Sequence, residues 1–304
     1  MGRAMTRFRL GSRGSALALV QAGMTRHALC AAHGWTADEV EIVVIRTTGD
    51  RVQDRALAEI GGKALWTKEL DRALLAGEID AAVHSMKDVE TVRPDAIALI
   101  ATLPRADVRD RLIGAASLDD LPQGARIGTS SPRRAAQLLQ RRPDLKPVLF
   151  RGNVDTRLAK LAAGEVDATL LAAAGLDRLG RGDVGVAIPT DVMLPAPAQG
   201  AVCIEVRADD AAAWALVAAI DHAATSACVG AERALLAALR ADCHSPVAAL
   251  ATLDGAMLTM RAELLSEDGA DSVEGEDQGD DVGARLAADL LARAPLAVGR
   301  LFGA

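Results

Sequence analysis

One short segment occurs twice in this chain, and it constrains the fold more than any other feature. Ala-Gly-Glu-Ile-Asp-Ala at 76–81 returns as Ala-Gly-Glu-Val-Asp-Ala at 163–168. In each copy a helical pattern ends at a glycine, and a run typical of a strand follows. Two segments that each precede a helix also correspond, Gly-Ser-Arg-Gly-Ser at 11–15 and Gly-Thr-Ser-Ser-Pro at 128–132. We therefore predict two similar α/β domains with a cleft between them; the alternative is a chance likeness of two common junctions.

Strand and helix patterns alternate along the chain, which predicts an α/β fold with mostly parallel pairing. Strands are predicted at 7–10, 40–47, 79–83 and 147–150, and helices at 15–30 and 67–76. After residue 221 the pattern changes to a helix at 228–240, a strand at 257–265 and a helix at 282–293. The acidic, glycine-rich stretch at 266–281 is predicted to be a solvated hairpin tip or loop.

The length of the chain, 304 residues, exceeds what one ordinary core accommodates, so two or three domains are expected. Proline-containing stretches at 103–105 and 195–200 are the predicted crossings between domains. We predict a discontinuous first domain from residues 1–103 and 201–221, a second from 104–200, and a small α+β third domain from 222–304.

Composition narrows the possible partners. The net charge is −7 and aromatic residues make up 2% of the chain, which disfavours nucleic-acid binding. No apolar run reaches membrane-spanning length. The four cysteines are far apart in sequence and the five histidines show no ligand spacing, so neither a disulfide framework nor a metal site is predicted. These features predict a cytoplasmic protein.

A candidate site follows the apolar run at 81–83, where His84, Ser85, Lys87 and Asp88 come in quick succession. Ligands of open α/β sheets bind at the carboxyl ends of the strands. An imidazole, a hydroxyl, an ammonium and a carboxylate are therefore offered to one crevice. The alternative is a solvated charged turn, and His84 taken alone is more simply a hydrogen-bonded structural residue.

A second candidate site lies where Ser131 and Pro132 begin a helix that carries Arg133 and Arg134 in its first turn. Cations at this position oppose the helix dipole, so another interaction must favour them. An anion bound at the helix start would do so. The alternative is two exposed arginines paired with distant acids.

Further arginines occupy comparable strand-to-helix junctions: Arg13, Arg151, Arg157 and Arg178. Together they indicate a polyanionic ligand, because guanidinium groups match carboxylates in bidentate geometry. Neither a P-loop nor a convincing dinucleotide-binding glycine motif is present, so a nucleotide is not favoured.

Two loops carry further candidates. Cys243 lies in the polar turn Ala-Asp-Cys-His-Ser-Pro at 241–246, where His244 could help deprotonate it; an unreactive loop cysteine is the alternative. The polar stretch at 49–63, with paired glycines and Lys63, is either a lid or a connection without function.

Together these motifs resemble the porphobilinogen deaminase, or hydroxymethylbilane synthase, family. The matching segments are 11–18, 61–63, 84–89, 128–134, 151–157, 194–196 and 199–201. The resemblance runs in order from about residue 7 to Cys243, and the rest matches only in general character. Departures are Ala241 and Asp242 where a glycine pair is usual, which makes that turn stiffer and more acidic, Ala198 for a glycine, and Trp66 for phenylalanine.

This resemblance implies three domains, the first two like the halves of a periplasmic binding protein. It also implies a dipyrromethane cofactor joined by a thioether to Cys243. Members condense four porphobilinogen molecules head to tail with loss of ammonia. They then release the linear tetrapyrrole hydroxymethylbilane by hydrolysis, and they are usually monomeric.

The residues implied are as follows. The catalytic aspartate falls on Asp88, which stabilises the cationic azafulvene left by ammonia. Besides Cys243, the cofactor-binding residues fall on Ser85, Lys87, Thr129, Ser131, Arg133, Arg134 and Arg157. The substrate-binding residues fall on Arg13, Ser15, Arg151, Arg157 and Arg178.

Two other functions compete with this interpretation. A solute-binding or sensor module could use the same two-domain scaffold to bind a small organic anion without changing it; the absent export signal and the position of Cys243 weigh against it. A nucleic-acid binder that uses the arginines is disfavoured by the net charge and the scarcity of aromatic residues.

Overall fold

The computed structural model describes residues 7–46 and 67–302. The strands in these residues are β1 (Phe8–Arg13), β2 (Val40–Ile45), β3 (Ala81–Ser85), β4 (Ile97–Thr102), β5 (Asp110–Ile113), β6 (Arg126–Thr129), β7 (Lys146–Leu149), β8 (Ala168–Ala172), β9 (Val186–Ala187), β10 (Val202–Arg207), β11 (Val247–Asp254), β12 (Met257–Leu265) and β13 (Ser272–Gln278). The helices are α1 (Ala16–His33), α2 (Lys68–Leu75), α3 (Pro132–Arg141), α4 (Val154–Ala162), α5 (Ala173–Arg178), α6 (Ala211–Ala218), α7 (Ala223–Leu239), α8 (Val282–Arg293) and α9 (Leu296–Gly299). The predicted lid at 49–63 and the Trp66 position lie outside the described residues.

The chain divides into two compact units. The first comprises Met1–Ala106 and Ala201–Ser226, and the second comprises Asp107–Gly200 and Ala227–Ala304. This division differs from the predicted one because the C-terminal segment is grouped with the middle of the chain. The three-domain boundaries stay a prediction.

The sheet of the first unit has the strand order β2-β1-β3-β10-β4. Strand β1 pairs in parallel with β2 and β3, whereas β10 runs antiparallel to both β3 and β4. Leu10, Val83, Val202 and Ile204 are buried in the core that this sheet shares with α1. The sheet therefore takes its fourth strand from residues that follow the whole of the 107–200 segment.

A second sheet, β7-β6-β8-β5-β9, repeats this arrangement in the second unit. Strand β6 pairs in parallel with β7 and β8, and β5 runs antiparallel to β8 and β9. The two sheets have the same order and the same directions, so the predicted similarity of two α/β halves is confirmed. Pairing is mixed rather than mostly parallel because each sheet receives one reversed strand just after a chain crossing.

A third sheet, β11-β12-β13, is antiparallel and packs with α7 and α8 around Leu235, Met260, Leu264 and Leu286. The prediction that 266–281 is only a solvated tip or loop is wrong, because β13 occupies Ser272–Gln278. Its outward residues are acidic, but Val273 is buried and pairs opposite Leu264.

Two boundaries differ from the predictions. Strand β3 continues through His84 and Ser85 because both pair with β10, opposite Cys203 and Val202. Helix α7 begins at Ala223 rather than at 228. Among the described residues, no single helix is long and apolar enough to cross a membrane; α6 and α7, bent by 113°, pass that test as a pair on length and composition.

Candidate functional site

A polar pocket opens at the carboxyl ends of β1 and β3. Its polar lining residues are Arg13, Ser15, Gln21, His84, Ser85 and Asp88, and its apolar ones are Leu17, Ala18 and Val83. The two strands are neighbours, with Leu10 opposite Ala81, so their ends meet at one edge of the sheet. Four of the residues implied by the resemblance, Arg13, Ser15, Ser85 and Asp88, are therefore brought together.

The N-terminal cap of α1 forms one side of this pocket. The Ser15 side chain accepts a hydrogen bond from Ala18 N at 3.3 Å and caps α1. Gly11 packs closely against its neighbours, because a Cβ there would lie 2.3 Å from Ile79 Cδ1 and that side chain would have to shift. Arg13 thus leaves the strand and Ser15 enters the helix within one tight turn.

Asp88 ends a short 3₁₀ turn, Met86–Asp88, that follows β3 directly. Met86 is fully buried, and its backbone N–H donates to Ala201 O at 3.0 Å. The turn is therefore anchored to the segment that enters β10, and Asp88 is half-buried in the pocket wall. Lys87 lies on the same turn but is not one of the pocket-lining residues.

Gln21 is a pocket residue that the sequence reasoning missed. It is 2% exposed, and its Nε2 donates to Ser85 Oγ at 2.8 Å. A signal existed, since Gln21 is a lone polar residue within the run Ala-Leu-Ala-Leu-Val-Gln-Ala-Gly-Met that opens α1. It fixes the Ser85 hydroxyl at the pocket floor.

Behind the pocket lies a buried charge cluster. His84 Nε2 is 3.2 Å from Glu205 Oε2, within ion-pair distance although outside hydrogen-bond geometry. Arg93 donates to both Glu205 oxygens, at 2.8 and 2.9 Å, and also contacts Asp71 and Glu90. Burial acts to raise the pKa of Glu205, but His84 and Arg93 outweigh it and lower that pKa to about 2. His84 is thus a buried residue that lies next to Glu205 and also lines the pocket.

In the second unit, Arg133 and Arg134 converge on one buried carboxylate. Arg133 Nη1 lies 2.6 Å from Asp110 Oδ2 and Arg134 Nη2 lies 2.7 Å from Asp110 Oδ1. Gln199 Nε2 donates to the same Oδ1 at 2.9 Å. Burial acts to raise the pKa of Asp110, but the two guanidiniums hold it well below its ordinary value. The predicted anion at this helix start is therefore, at least in part, the protein's own.

The alternative of two exposed arginines is wrong, since Arg133 and Arg134 are 3% and 6% exposed. Ser131 caps α3 as predicted, accepting from Arg134 N at 3.4 Å, and Thr129 Oγ1 accepts from Ser131 N. The sequence did not indicate that Asp110 is part of this site, because Asp110 lies in an alternating charged run that resembles a solvated loop.

Some N–H donors of this arginine group are unsatisfied within the described residues. Among the described residues, the buried Nε atoms of Arg133, Arg134 and Arg178 have no hydrogen-bond partner. Arg178 Nη2 donates to Gly200 O at 2.7 Å, and burial lowers the pKa of Arg178. Buried N–H groups of this kind favour an anionic partner, so the donors fit a cofactor that carries carboxylates.

Arg151 lies in the turn between β7 and α4, and Arg157, on α4, contacts that turn. Arg157 Nε donates to Gly152 O at 3.0 Å and its Nη2 to Ser130 Oγ at 3.3 Å. Arg151, which precedes Gly152, is 7% exposed. Thr129, Ser131 and Arg157 are therefore grouped around the end of β6, as the repeated junctions predict.

Cys243 lies in a tight turn after α7 and is exposed. Ser245 N donates to Asp242 O at 3.0 Å, and His244 N donates to the Asp242 carboxylate at 2.9 Å. Asp242, which replaces a glycine usual in the family, therefore builds the turn itself. An accessible thiol in such a turn fits covalent attachment of a small organic group. Among residues 7–46 and 67–302, no cluster of metal-ligating side chains occurs.

Comparison with known proteins identifies the family. Residues 8–215 match the model "Porphobilinogen deaminase, dipyromethane cofactor binding domain", and residues 226–292 match "Porphobilinogen deaminase, C-terminal domain". A porphobilinogen deaminase of Sphingopyxis alaskensis is 60% identical over 303 residues, covering 97% of this chain and 96% of that protein. One of Paracoccus denitrificans is 53% identical over 295 residues and covers 94% of both chains.

Among solved structures, a Salmonella typhimurium periplasmic binding protein with high arginine specificity is 11% identical, with a TM-score of 0.40 over 71% of this chain and 92% of that one. The assignment of the chain to a family is based on the sequence relatives and on the matched domain models. The chain therefore belongs to the porphobilinogen deaminase family and is an enzyme, a transferase of tetrapyrrole synthesis whose cofactor is a dipyrromethane.

Proposed function

We propose that this protein condenses four porphobilinogen molecules head to tail with loss of ammonia. It then releases the linear tetrapyrrole hydroxymethylbilane by hydrolysis. The observation that carries this proposal is the pocket in which Asp88 lies with Arg13, Ser15 and Ser85. A carboxylate, a guanidinium and two hydroxyls match a substrate that presents a cationic centre, a pyrrole N–H and two carboxylates.

Asp88 is proposed as the catalytic residue. Loss of ammonia from porphobilinogen leaves a cationic pyrrole, and an ionised carboxylate beside the ring N–H stabilises that charge in the transition state. Asp88 or water then takes the proton that the attacking pyrrole carbon loses. The 3₁₀ turn supports this role, because its buried Met86 fixes the backbone from which Asp88 projects.

Arginine and hydroxyl groups are proposed to bind the acetate and propionate groups of the substrate and of the growing chain. In this proposal Arg13, Ser15, Arg151, Arg157 and Arg178 bind substrate. Cofactor contacts are assigned to Ser85, Lys87, Thr129, Ser131, Arg133, Arg134 and Arg157. The unpartnered Nε atoms support a role for Arg133, Arg134 and Arg178.

The dipyrromethane, once attached, supplies the terminal pyrrole from which the product is extended. We assign its attachment to Cys243, whose exposed position in a tight turn makes the thiol accessible. The enzyme is further proposed to act as a cytoplasmic monomer with three domains. It is proposed to bind neither nucleic acid nor a membrane.

The proposed catalytic role is tested by Asp88→Asn. This variant keeps the size of the side chain and removes its charge, so it should fold normally and lose turnover by a factor on the order of 10²–10³. The measurement is the steady-state rate with porphobilinogen, beside a thermal unfolding curve. Asp95→Asn is the matched control, since Asp95 is exposed and does not line the pocket. Turnover near the wild-type rate in Asp88→Asn would refute the assignment.

Attachment is tested by Cys243→Ser. Intact-mass measurement of the purified protein should show wild type with a covalent dipyrrole adduct and this variant without one. Cys30→Ser serves as the control, because Cys30 is partly exposed and lies on α1. A variant at Cys243 that still carries the adduct would place the attachment elsewhere.

A further inference from the structure

Helix α3 carries two glutamines that contact the same buried carboxylate from the third sheet. Glu263 on β12 is 8% exposed. Gln137 Nε2 donates to its Oε2 and Gln140 Nε2 donates to its Oε1, both at 2.9 Å. Gln140 Nε2 also lies 2.9 Å from Ser272 Oγ at the start of β13. The β12–β13 hairpin therefore contacts α3 through specific polar groups.

Backbone packing at the hairpin turn reinforces this contact. Gly269 has φ +69°, and a Cβ on it would lie 2.2 Å from Ala136 O and 2.7 Å from Gln140 N. The turn thus lies directly against the backbone of α3. The position of the helix relative to the third sheet is consequently fixed by close packing as well as by Glu263.

Only one of the two glutamines, Gln137, also contacts an arginine of the buried cluster. Gln137 Oε1 accepts from Arg133 Nη1 at 3.1 Å, and both Gln137 Nε2 and Arg133 Nη1 reach Leu194 O, at 3.3 and 3.1 Å. Since Glu263 takes up the amide N–H₂ of Gln137, the amide oxygen is turned towards Arg133. Gln140 Nε2 donates instead to Glu263 and to Ser272, both in the third sheet.

We propose that Gln137 is a positioning residue that orients the Arg133 guanidinium for a carboxylate of the dipyrromethane, and that Glu263 fixes the orientation of Gln137. The inference rests on the proposed role of Arg133 as a cofactor-binding residue. Arg133 Nη1 has two hydrogens and three acceptors, Asp110, Leu194 O and Gln137. Without Gln137 it keeps two acceptors, so its charge stays compensated but the plane of the guanidinium is less restricted.

The experiment compares Gln137→Leu with Gln140→Leu. Each variant removes one 2.9 Å hydrogen bond to Glu263 from the same helix. Gln137→Leu also loses the contacts with Leu194 O and Arg133, and Gln140→Leu loses the one with Ser272, so both should unfold at a lower temperature and are compared well below their transitions. Only Gln137→Leu should also slow attachment of the cofactor, by roughly fivefold, a change typical of one lost hydrogen bond in the complex that precedes the covalent step. The measurement is the fraction of chains that carry the adduct, followed over time by intact mass at low temperature.

Steady-state kinetics of the chains that carry the adduct distinguish a changed orientation of Arg133 from a general destabilisation of the protein. Gln137→Leu should lower kcat per chain that carries the adduct while the KM for porphobilinogen stays within about twofold of wild type, because Arg133 is assigned to the cofactor and not to the substrate. Gln137→Glu, which retains an acceptor oxygen towards Arg133 but is repelled by Glu263, should restore loading only in the background Glu263→Gln. Equal loading in Gln137→Leu and Gln140→Leu, or no rescue in that double variant, would overturn the inference.

The two proposals fail in different ways. Wild-type protein without a pyrrole adduct would refute the proposed function itself. Wild-type protein with the adduct, together with equal behaviour of the two leucine variants, would refute only the role of Gln137.

Discussion

Ala198 adopts a left-handed backbone conformation, with φ 60°, that non-glycine residues avoid. It is buried, and its N–H donates at 2.5 Å to the carboxylate of Glu232, which is itself fully buried on α7. The next residue, Gln199, reaches Asp110. The strained conformation is thus maintained by contacts on both sides, and it directs Gln199 into the arginine cluster.

Ala198→Gly should therefore be more stable than Ala196→Gly by about 1 kcal/mol, because only at position 198 does glycine remove the left-handed penalty of alanine. The measurement is the free energy of unfolding in urea. Ala196→Gly, two residues earlier and without a positive φ, is the control and should instead lose about 0.5–1 kcal/mol. An equal loss of stability in Ala198→Gly and Ala196→Gly would contradict the strain argument.

Glu205 should make the free energy of unfolding depend on pH in the acid range. The pKa of this carboxyl is 4.5 in its ordinary state and about 2 in the folded protein. Its contribution is therefore fully present above pH 4.5 and is lost as the pH falls towards 2; the shift corresponds to roughly 3 kcal/mol. The raised pKa of the neighbouring Asp71, caused first by burial, opposes part of this gain.

We expect Glu205→Gln to be destabilised most at neutral pH, with the difference from wild type shrinking as the pH is lowered below the ordinary pKa of the carboxyl. Urea unfolding over a pH series measures this directly. Glu41→Gln, at an exposed position, provides the comparison. Parallel stability curves for wild type and Glu205→Gln would show that the Arg93 and His84 contacts do not depress this pKa.

At the scale of elements, the two turns of the third sheet require glycine for different reasons. Gly255 in the β11–β12 turn has φ +57° and open space around the position of a Cβ. Gly269 in the β12–β13 turn has a similar φ but lies against α3. The first turn therefore needs glycine only for its backbone conformation, and the second needs it also for close approach.

The pair gives a matched test of hairpin docking. Gly255→Ala should cost about 1 kcal/mol of unfolding free energy from its positive φ. Gly269→Ala should cost about 1–3 kcal/mol more, because its Cβ meets backbone that cannot easily move. Equal losses, measured by chemical unfolding, would mean that the hairpin shifts freely on α3.

At the scale of the whole molecule, each five-stranded sheet depends on a strand that enters after a chain crossing. In the first unit β10 contributes Val202, Ile204 and Val206, all fully buried, together with Glu205. Burial of three such apolar side chains stabilises by about 6 kcal/mol, which is comparable to the total stability of a typical domain.

A fragment of residues 1–106 lacks β10 and should show no cooperative unfolding transition. Mixing it with a fragment of residues 107–304, which carries β10, should restore ellipticity and a cooperative thermal transition. Circular dichroism of each fragment and of the mixture makes the comparison. A cooperative transition in the first fragment alone would show that β10 is dispensable for its sheet.

Much of the site could be predicted from sequence because it lies at strand-to-helix junctions. Ser15 and Ser131 are read from capping chemistry, and the ends of β1 and β3 must meet if those strands are parallel neighbours. Gln21, Asp110 and Glu205 could not be assigned in this way. Their partners are distant in the chain, and a polar residue in a helix or a charged run looks the same whether it is solvated or buried.

The sequence by itself determined the repeated α/β unit, the family and the positions where polar groups follow strands, since these depend on local propensity and short spacing. Only the tertiary structure decided that Arg133 and Arg134 turn inward to Asp110, that β10 completes the first sheet and that an acidic stretch forms a docked strand. Those outcomes depend on desolvation and on which distant groups compensate a buried charge. Local pattern contains no information about either.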